Sequence, residues 1–308
     1  MTAWHWLALA AAALAALAAV AALRRRARRT ARGRRFFRHP AAAPGLVVLA
    51  FVVTTALAAP GLAPYPPRAQ LDIVRLADQP PSLRHPLGTD LYSRDVWSRL
   101  VYGARVSLGV GALAMLVAVT LGAAVGAAAG YFRRWPDALL MRVVDVGLAL
   151  PRIFVLLVAV ALWGHVTLGP LVLLIGLTGW FPTSRLVRAE VLSVRERDFV
   201  AAARALGAGP ARIILRHVLP NAAAPIIVSA ALGIGNVMLL EAGLSFLGLG
   251  VPPPMPSWGN MIADGWPKMA VAPWAALAPG LAISLVVTAL NTVGDALRDA
   301  LDPRAESA

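Results

Sequence analysis

Side chains able to do acid–base, nucleophilic or metal chemistry are few in this chain and scattered. There is no cysteine, and the histidines, His5, His39, His85, His165 and His217, stand far apart. Neither H-E-x-x-H nor G-x-S-x-G occurs, so neither a zinc-protease helix nor a nucleophile elbow is written into the sequence. The loop G-x-x-x-x-G-K-[ST], which would hold nucleotide phosphates, is missing too, and ATP binding by that route is excluded. His85 lies near Asp90 and Asp95, but the spacing matches no ligand pattern. Asp90 to Arg94 and Asp95 to Arg99 read better as i,i+4 pairs on a surface helix. Asp145 follows Arg142 by three residues and is expected to pair with it, while Glu241 is expected at the outer end of a helix. No catalytic residue, metal site or cofactor is expected.

One stretch promises mechanical rather than chemical work: "FVAAARALGAGPARIILRHVLPN", Phe199 to Asn221. Asp198 suits a helix start, the alanines are strong helix formers, and Gly207 can take the left-handed stop. Pro210 then suits the first position of a second helix, which runs into the next apolar segment near Pro220. Helix, tight turn and helix fused to a membrane span would make a stiff lever. By spacing alone the same stretch also fits an ordinary basic loop.

The elements that position this elbow lie in a bilayer. Of 308 residues, 59% are hydrophobic and 14% charged, far from the balance of a water-soluble domain. The net charge of +14 comes from arginines beside apolar runs rather than along an aromatic-laced basic face, so nucleic acid is not an expected partner and membrane lipid is. A spanning helix needs about 20 largely apolar residues. Runs at 4–23, 41–60, 105–131, 143–163, 168–181, 220–240 and 273–293 qualify, the fifth bounded by Trp180 and Pro182. Segment 24–40, "RRRARRTARGRRFFRHP", holds arginine but no acid and is expected in the cytoplasm. Alternation then puts 61–104, 164–167 and 241–272 outside, and 132–142, 182–219 and the C-terminus inside. Arg185, Arg188, Arg195, Arg197, Arg204, Arg212 and Arg216 make 182–219 basic, as that orientation requires. In the first run the positive charges follow the apolar stretch, the reverse of a secretory signal. An extra helix with its N-terminus outside is expected there, a start further along the chain being the alternative. Gly122, Gly126 and Gly130 share a helix face and should let a neighbour approach closely. Trp258, Trp266 and Trp274 are expected to anchor the last run at the interface.

The elbow also carries a likeness. Ala202 and Ala203, Gly207 four residues on, and Leu219–Pro220 resemble the cytoplasmic coupling loop of ABC importer permeases. "FFRHPAAAPGLVVLAFVV", "PSLRHPLGTDLYSRDVWSRLVYGARVSLGVG", "GYFRRWPDALLMRVVDVGLALP", "EAGLSFLGLGVPPPMPSWGNMI" and "NTVGDALRDALDPR" resemble successive blocks of the dipeptide/oligopeptide/nickel permeases, from about Arg35 to Arg304. "LSFLGLG" with "PSWG" resembles the C-type subunit. Ala201 stands where the family's glutamate is expected, His217 where isoleucine is common, and Ser93 where glycine is usual.

The resemblance implies an all-α polytopic membrane bundle of the ABC transmembrane type-1 (MetI-like) permease fold, in the bacterial inner membrane with a cytoplasmic C-terminus. With the apolar runs and charges, the chain is expected to divide into an extra helix at 1–23, which lies outside the resemblance, a basic cytoplasmic segment at 24–40, a first core helix with an extracytoplasmic loop at 41–103, the permease domain at 104–295 and a cytoplasmic tail at 296–308. The resemblance implies a homologous B-type permease, two ATPase subunits and an extracytoplasmic solute-binding protein as partners, and import of peptides or a related small solute. Ala201, Ala202, Ala203, Arg204, Gly207, Arg212, His217, Leu219 and Pro220 would then form the ATPase-coupling loop. The rivals are a secondary carrier or channel, disfavoured by the lack of mid-bilayer acids, and an intramembrane enzyme, disfavoured by the lack of a nucleophile–base pair.

Overall fold

A computed structural model describes residues 3–164 and 166–302. His165 and the tail from Pro303, including Arg304, lie outside them. Among the described residues the secondary structure is helical, with no strand. Where lipid replaces water, each backbone N–H and C=O must find a partner within its own segment, and a helix provides that.

The chain opens with α1 (Ala3–Ala27), a short α2 (Ala31–Phe36) and α3 (Ala42–Leu57). Thr30 caps α2 by accepting from the Gly33 N–H. With 16 residues α3 spans about 24 Å, short of a roughly 30 Å hydrocarbon core, and α4 (Ala59–Leu62) extends it after a break at Ala58. After α5 (Ile73–Leu76), α6 (Val96–Phe132) runs 37 residues. Asp95 caps it, its Oδ2 accepting from the backbone N–H and hydroxyl of Ser98 at 2.8 and 2.7 Å.

The apolar run 143–163, expected as one span, is broken. It forms α7 (Arg134–Ala149) and α8 (Arg152–Trp163), bent by 84°. Pro151 has no N–H to continue the ladder and pushes Leu150 into extended backbone, ψ 129°. Pro182, by contrast, does not end α9 (Leu168–Val194), which continues a dozen residues past it. Packed neighbours let membrane helices carry such prolines.

Next come α10 (Asp198–Ala205), α11 (Pro210–Ile213), one π turn at Ile214–Val218, α12 (Leu219–Phe246), α13 (Trp258–Gly265) and α14 (Trp274–Leu301). Among the described residues five stretches are long and apolar enough to cross a membrane: α1, α6, α9, the α11–α12 rod and α14; the α7–α8 pair is a sixth if taken as one span. Gly122, Gly126 and Gly130 seat α6 against α9. A Cβ at Gly122 would lie 2.6 Å from Thr183 Cβ, one at Gly126 would overlap the Ser184 carbonyl, and one at Gly130 would sit 2.9 Å from the Arg188 carbonyl.

The basic links gather at one end of the bundle. Arg195 donates to the carbonyls of Gly130 and Tyr131, and Arg133 meets Glu196 at 3.4 Å. Asp145 pairs with Arg185 at 2.5 Å rather than with Arg142, and Asp137 takes Arg188 in a bidentate grip at 2.5 and 2.6 Å, because α9 lies alongside α7. The far end is closed by a buried ionic cap, which replaces the surface helix expected over 90–99. Asp90 accepts from Arg94 Nε at 2.7 Å and Arg99 Nη1 at 2.5 Å, and both arginines reach Asp264. Asp95, spent as the α6 cap, pairs with His85 at 2.9 Å rather than with Arg99. Trp258 is no interfacial anchor: it is 2% exposed and donates to the Leu100 carbonyl. Trp274 likewise donates to Thr89, while Trp266 is exposed.

Candidate functional site

The elbow between α9 and α12 is built by local rules. Asp198 in the first turn of α10 faces the positive end of the helix dipole. At the other end Gly207 has φ +79° with open space around it, so its task is conformational. Gly207 N–H bonds the Arg204 carbonyl and Ala208 N–H the Ala203 carbonyl, the paired closure of a Schellman motif. Pro210 opens α11 where a missing N–H costs nothing. Pro220 has no N–H to give the Arg216 carbonyl, and the helix widens into the π turn just before it. From Pro210 to Phe246 the chain is nevertheless one rod of 37 residues.

Val200, Ile213 and Val218 are fully buried, in one cluster with Val187, Val191 and Ala222, and they clamp the elbow to the bundle. The opposite face is bare. Ala201, Ala202, Arg204, Gly207, Arg212 and Pro220 are exposed, as are Leu206 at 88% and Leu215 at 68%. Ala203 is buried, and His217 and Leu219 are half-buried. The candidate loop residues therefore lie together, those facing outward forming an apolar surface rimmed by arginine; Gly122, Gly126 and Gly130 serve the α6–α9 seam instead. Large exposed aliphatic side chains beside basic ones mark a surface suited to a protein partner.

Beside the elbow a cavity of about 840 Å³ opens between α6, α9, α12 and α14. It runs from Met115 and Asn236 in the bundle to Arg197 and Arg298 at the arginine-rich end. Asn221, Pro225, Ser229, Leu232 and Asn236 line it from α12, at the spacing of a single helix face. Polar side chains on a membrane helix face a protein neighbour or water rather than lipid. The helix carrying this stripe is the one into which the elbow runs. These residues are absent from the sequence expectations, although Asn221, Ser229 and Asn236 recur seven and eight residues apart in an otherwise apolar run. Among the described residues, no group of three histidines or acids is placed to hold a metal.

The family profile described as "Binding-protein-dependent transport system inner membrane component" matches residues 118–307, and that for the "N-terminal TM domain of oligopeptide transport permease C" matches 29–81. A protein of Brucella abortus whose name describes a peptide transport system permease is 44% identical over 274 residues, 88% of this chain and 90% of the relative. The dipeptide transport system permease protein DppC of Alkalihalophilus pseudofirmus is 46% identical over 229 residues, 74% and 75% of the two chains. In the inward-facing MetNI methionine ABC transporter a chain superposes with TM-score 0.56 at 16% identity, over 66% of this chain and 97% of that one, which establishes a shared fold. The chain is a multi-pass membrane permease with the type-1, MetI-like ABC transporter fold, and it belongs to the family of binding-protein-dependent transport system inner membrane components.

Proposed function

We propose that this chain is the C-type permease subunit of an ATP-driven importer of peptides or closely related small solutes. In this reading it lies in a bacterial inner membrane with its C-terminus in the cytoplasm. It forms the passage with a homologous B-type permease, receives cargo from an extracytoplasmic binding protein at the end closed by the ionic cap, and is driven by two ATPase subunits at the elbow. The names of the relatives from Brucella abortus and Alkalihalophilus pseudofirmus support peptide cargo.

The observation that carries the reading is the elbow itself: clamped on one face, bare and apolar on the other, and continuous with the helix that lines the cavity. A partner gripping Leu206 and Leu215 would move α10, and the left-handed joint at Gly207 and the rod from Pro210 would carry that movement to the polar stripe. Ala201, where the family's glutamate is expected, leaves this grip to shape and to Arg204, Arg212 and Arg216 rather than to a carboxylate.

Gly207→Val tests it in the reconstituted transporter. A β-branched residue is strained at φ +79° by about 1–2 kcal/mol, so the joint relaxes to another angle. Expected is continued ATP hydrolysis with uptake per ATP reduced about tenfold, the middle of that strain being worth one decade in an equilibrium, and an unchanged amount of chain in the membrane. Gly207→Asn, which tolerates the left-handed region, should keep most of the coupling. Unimpaired uptake by the valine variant would refute the lever.

A further inference from the structure

Arg152 lies within the bundle, apart from the ion pairs at its two ends. It is the first residue of α8, placed just after the sharp bend by Pro151, and it lines the cavity. Its Nε donates to Thr178 Oγ1 at 3.2 Å and its Nη2 to the Ile175 carbonyl at 2.5 Å. Both acceptors are uncharged, and among the described residues no carboxylate is within ion-pair distance. Of five guanidinium N–H groups, three remain without an acceptor among the described residues, two on Nη1 and one on Nη2.

The surroundings are shaped for this side chain. A Cβ on Gly179 would lie 2.8 Å from Arg152 Nη2, so the glycine leaves the room the guanidinium fills. The other charged cavity residues, Glu190, Arg197, Arg298 and Asp302, sit at the arginine-rich mouth. Glu190 is about 18 Å further along α9 than Thr178. A permanently charged group in a membrane span is costly unless it meets a counter-charge or water. Here that counter-charge does not come from this chain's described residues.

We propose, resting on the permease reading above, that Arg152 is a specificity-determining residue of the passage, gripping a carboxylate of the cargo as it crosses. Thr178 and Ile175 hold one edge of the guanidinium in register, and the remaining N–H groups, on a residue that lines the cavity, offer the planar fork that suits a carboxylate. A peptide brings such a group at its C-terminus, and cargo lacking one would pass without this contact.

The test uses the complete transporter in proteoliposomes, with trialanine and its C-terminal amide as probes. Phenylglyoxal, which modifies guanidinium groups, is added, and the adduct on Arg152 is followed by mass spectrometry. Expected is slowing by at least about threefold with trialanine at concentrations that fill most of the site, and none with trialaninamide. In uptake, Arg152→Gln should cut the trialanine-to-amide ratio by about tenfold, as the loss of one charge-assisted contact implies. Any preference of the binding protein cancels between the two transporters. Should the glutamine variant fail to assemble, Arg152→Lys keeps the charge without the fork and should cut the ratio partway.

An Arg152 refractory to the reagent with or without probe, as a residue locked to an acid of the partner permease would be, overturns the assignment. So does labelling equally fast with both probes, or equal loss of uptake for both in the variant. Protection by trialanine without ATP-driven uptake of either probe would remove the peptide reading and leave the carboxylate contact standing.

Discussion

Replacing Gly126 with alanine drives a methyl group into the tightest seam of the bundle. The added Cβ overlaps the Ser184 carbonyl and lies 2.8 Å from Val187 Cβ and 3.0 Å from the Arg188 nitrogen, where ordinary contact begins at 3.4 Å. None of these atoms ends a flexible side chain, so only separation of α6 from α9 relieves the overlap. A gap of roughly 0.5–1 Å forfeits a quarter to a half of the dispersion energy of each contact it opens. Overpacking of this kind costs about 1–3 kcal/mol, and alanine returns about 0.8–1 kcal/mol through its helix propensity. A net destabilisation of up to about 2 kcal/mol is expected. Gly109 provides the control on the same helix, since a Cβ there meets nothing within 4 Å. Gly109→Ala should therefore stabilise, by up to about 1 kcal/mol. Unfolding of the purified chain in mixed micelles by a denaturing detergent, followed by circular dichroism, reads both. Equal shifts of the same sign would show that the close approach of α6 and α9 does not decide stability.

Two further variants probe the ionic cap with the same titration. Asp90→Ala leaves Arg94 and Arg99, 12% and 4% exposed, sharing Asp264 alone; a loss of about 3–5 kcal/mol is expected, and a loss under about 1 kcal/mol would mean the cap is held by other contacts. Ser93 is fully buried at φ +57° with an unpartnered hydroxyl. Ser93→Gly removes both the strained backbone and the orphan group and should stabilise by about 1–2 kcal/mol, whereas destabilisation would assign the hydroxyl a partner outside this chain.

What the sequence displays and what it hides divide along the range of the interactions. The elbow is legible because a helix start at Asp198, a left-handed glycine and a proline at a first helical position are decided within a few residues. The glycines of α6 are legible for the same reason: their spacing alone puts them on one face. Of the ion pairs, Asp90 to Arg94 is legible at i,i+4 and the others are not. Asp95 has Arg99 four residues away, yet it is consumed as a helix cap, and Arg99 finds Asp90 and Asp264 instead. Asp145 is drawn from Arg142 to Arg185 by helix packing that no local pattern encodes. The bend at Pro151 is written in the chain but masked by apolar residues on both sides, since hydropathy reads length and not direction. Trp258 looks like an interfacial ring until its indole N–H is seen bonded to Leu100. Arg152 escapes notice because its meaning lies in which acids are absent around it, a fact of three dimensions.

The cap also has a consequence for synthesis. Asp264 lies 165 residues beyond Arg99, so at about 5–20 residues per second a ribosome delivers it roughly 10–30 s after the arginine has emerged. During that interval Arg94 and Arg99 share Asp90, and the start of α6 has not yet received Trp258, the ring that seals it. A nascent chain halted before residue 264 thus carries an unsettled guanidinium pair that quality-control proteases could read as unfinished, while arrival of one late aspartate closes the first third of the polypeptide.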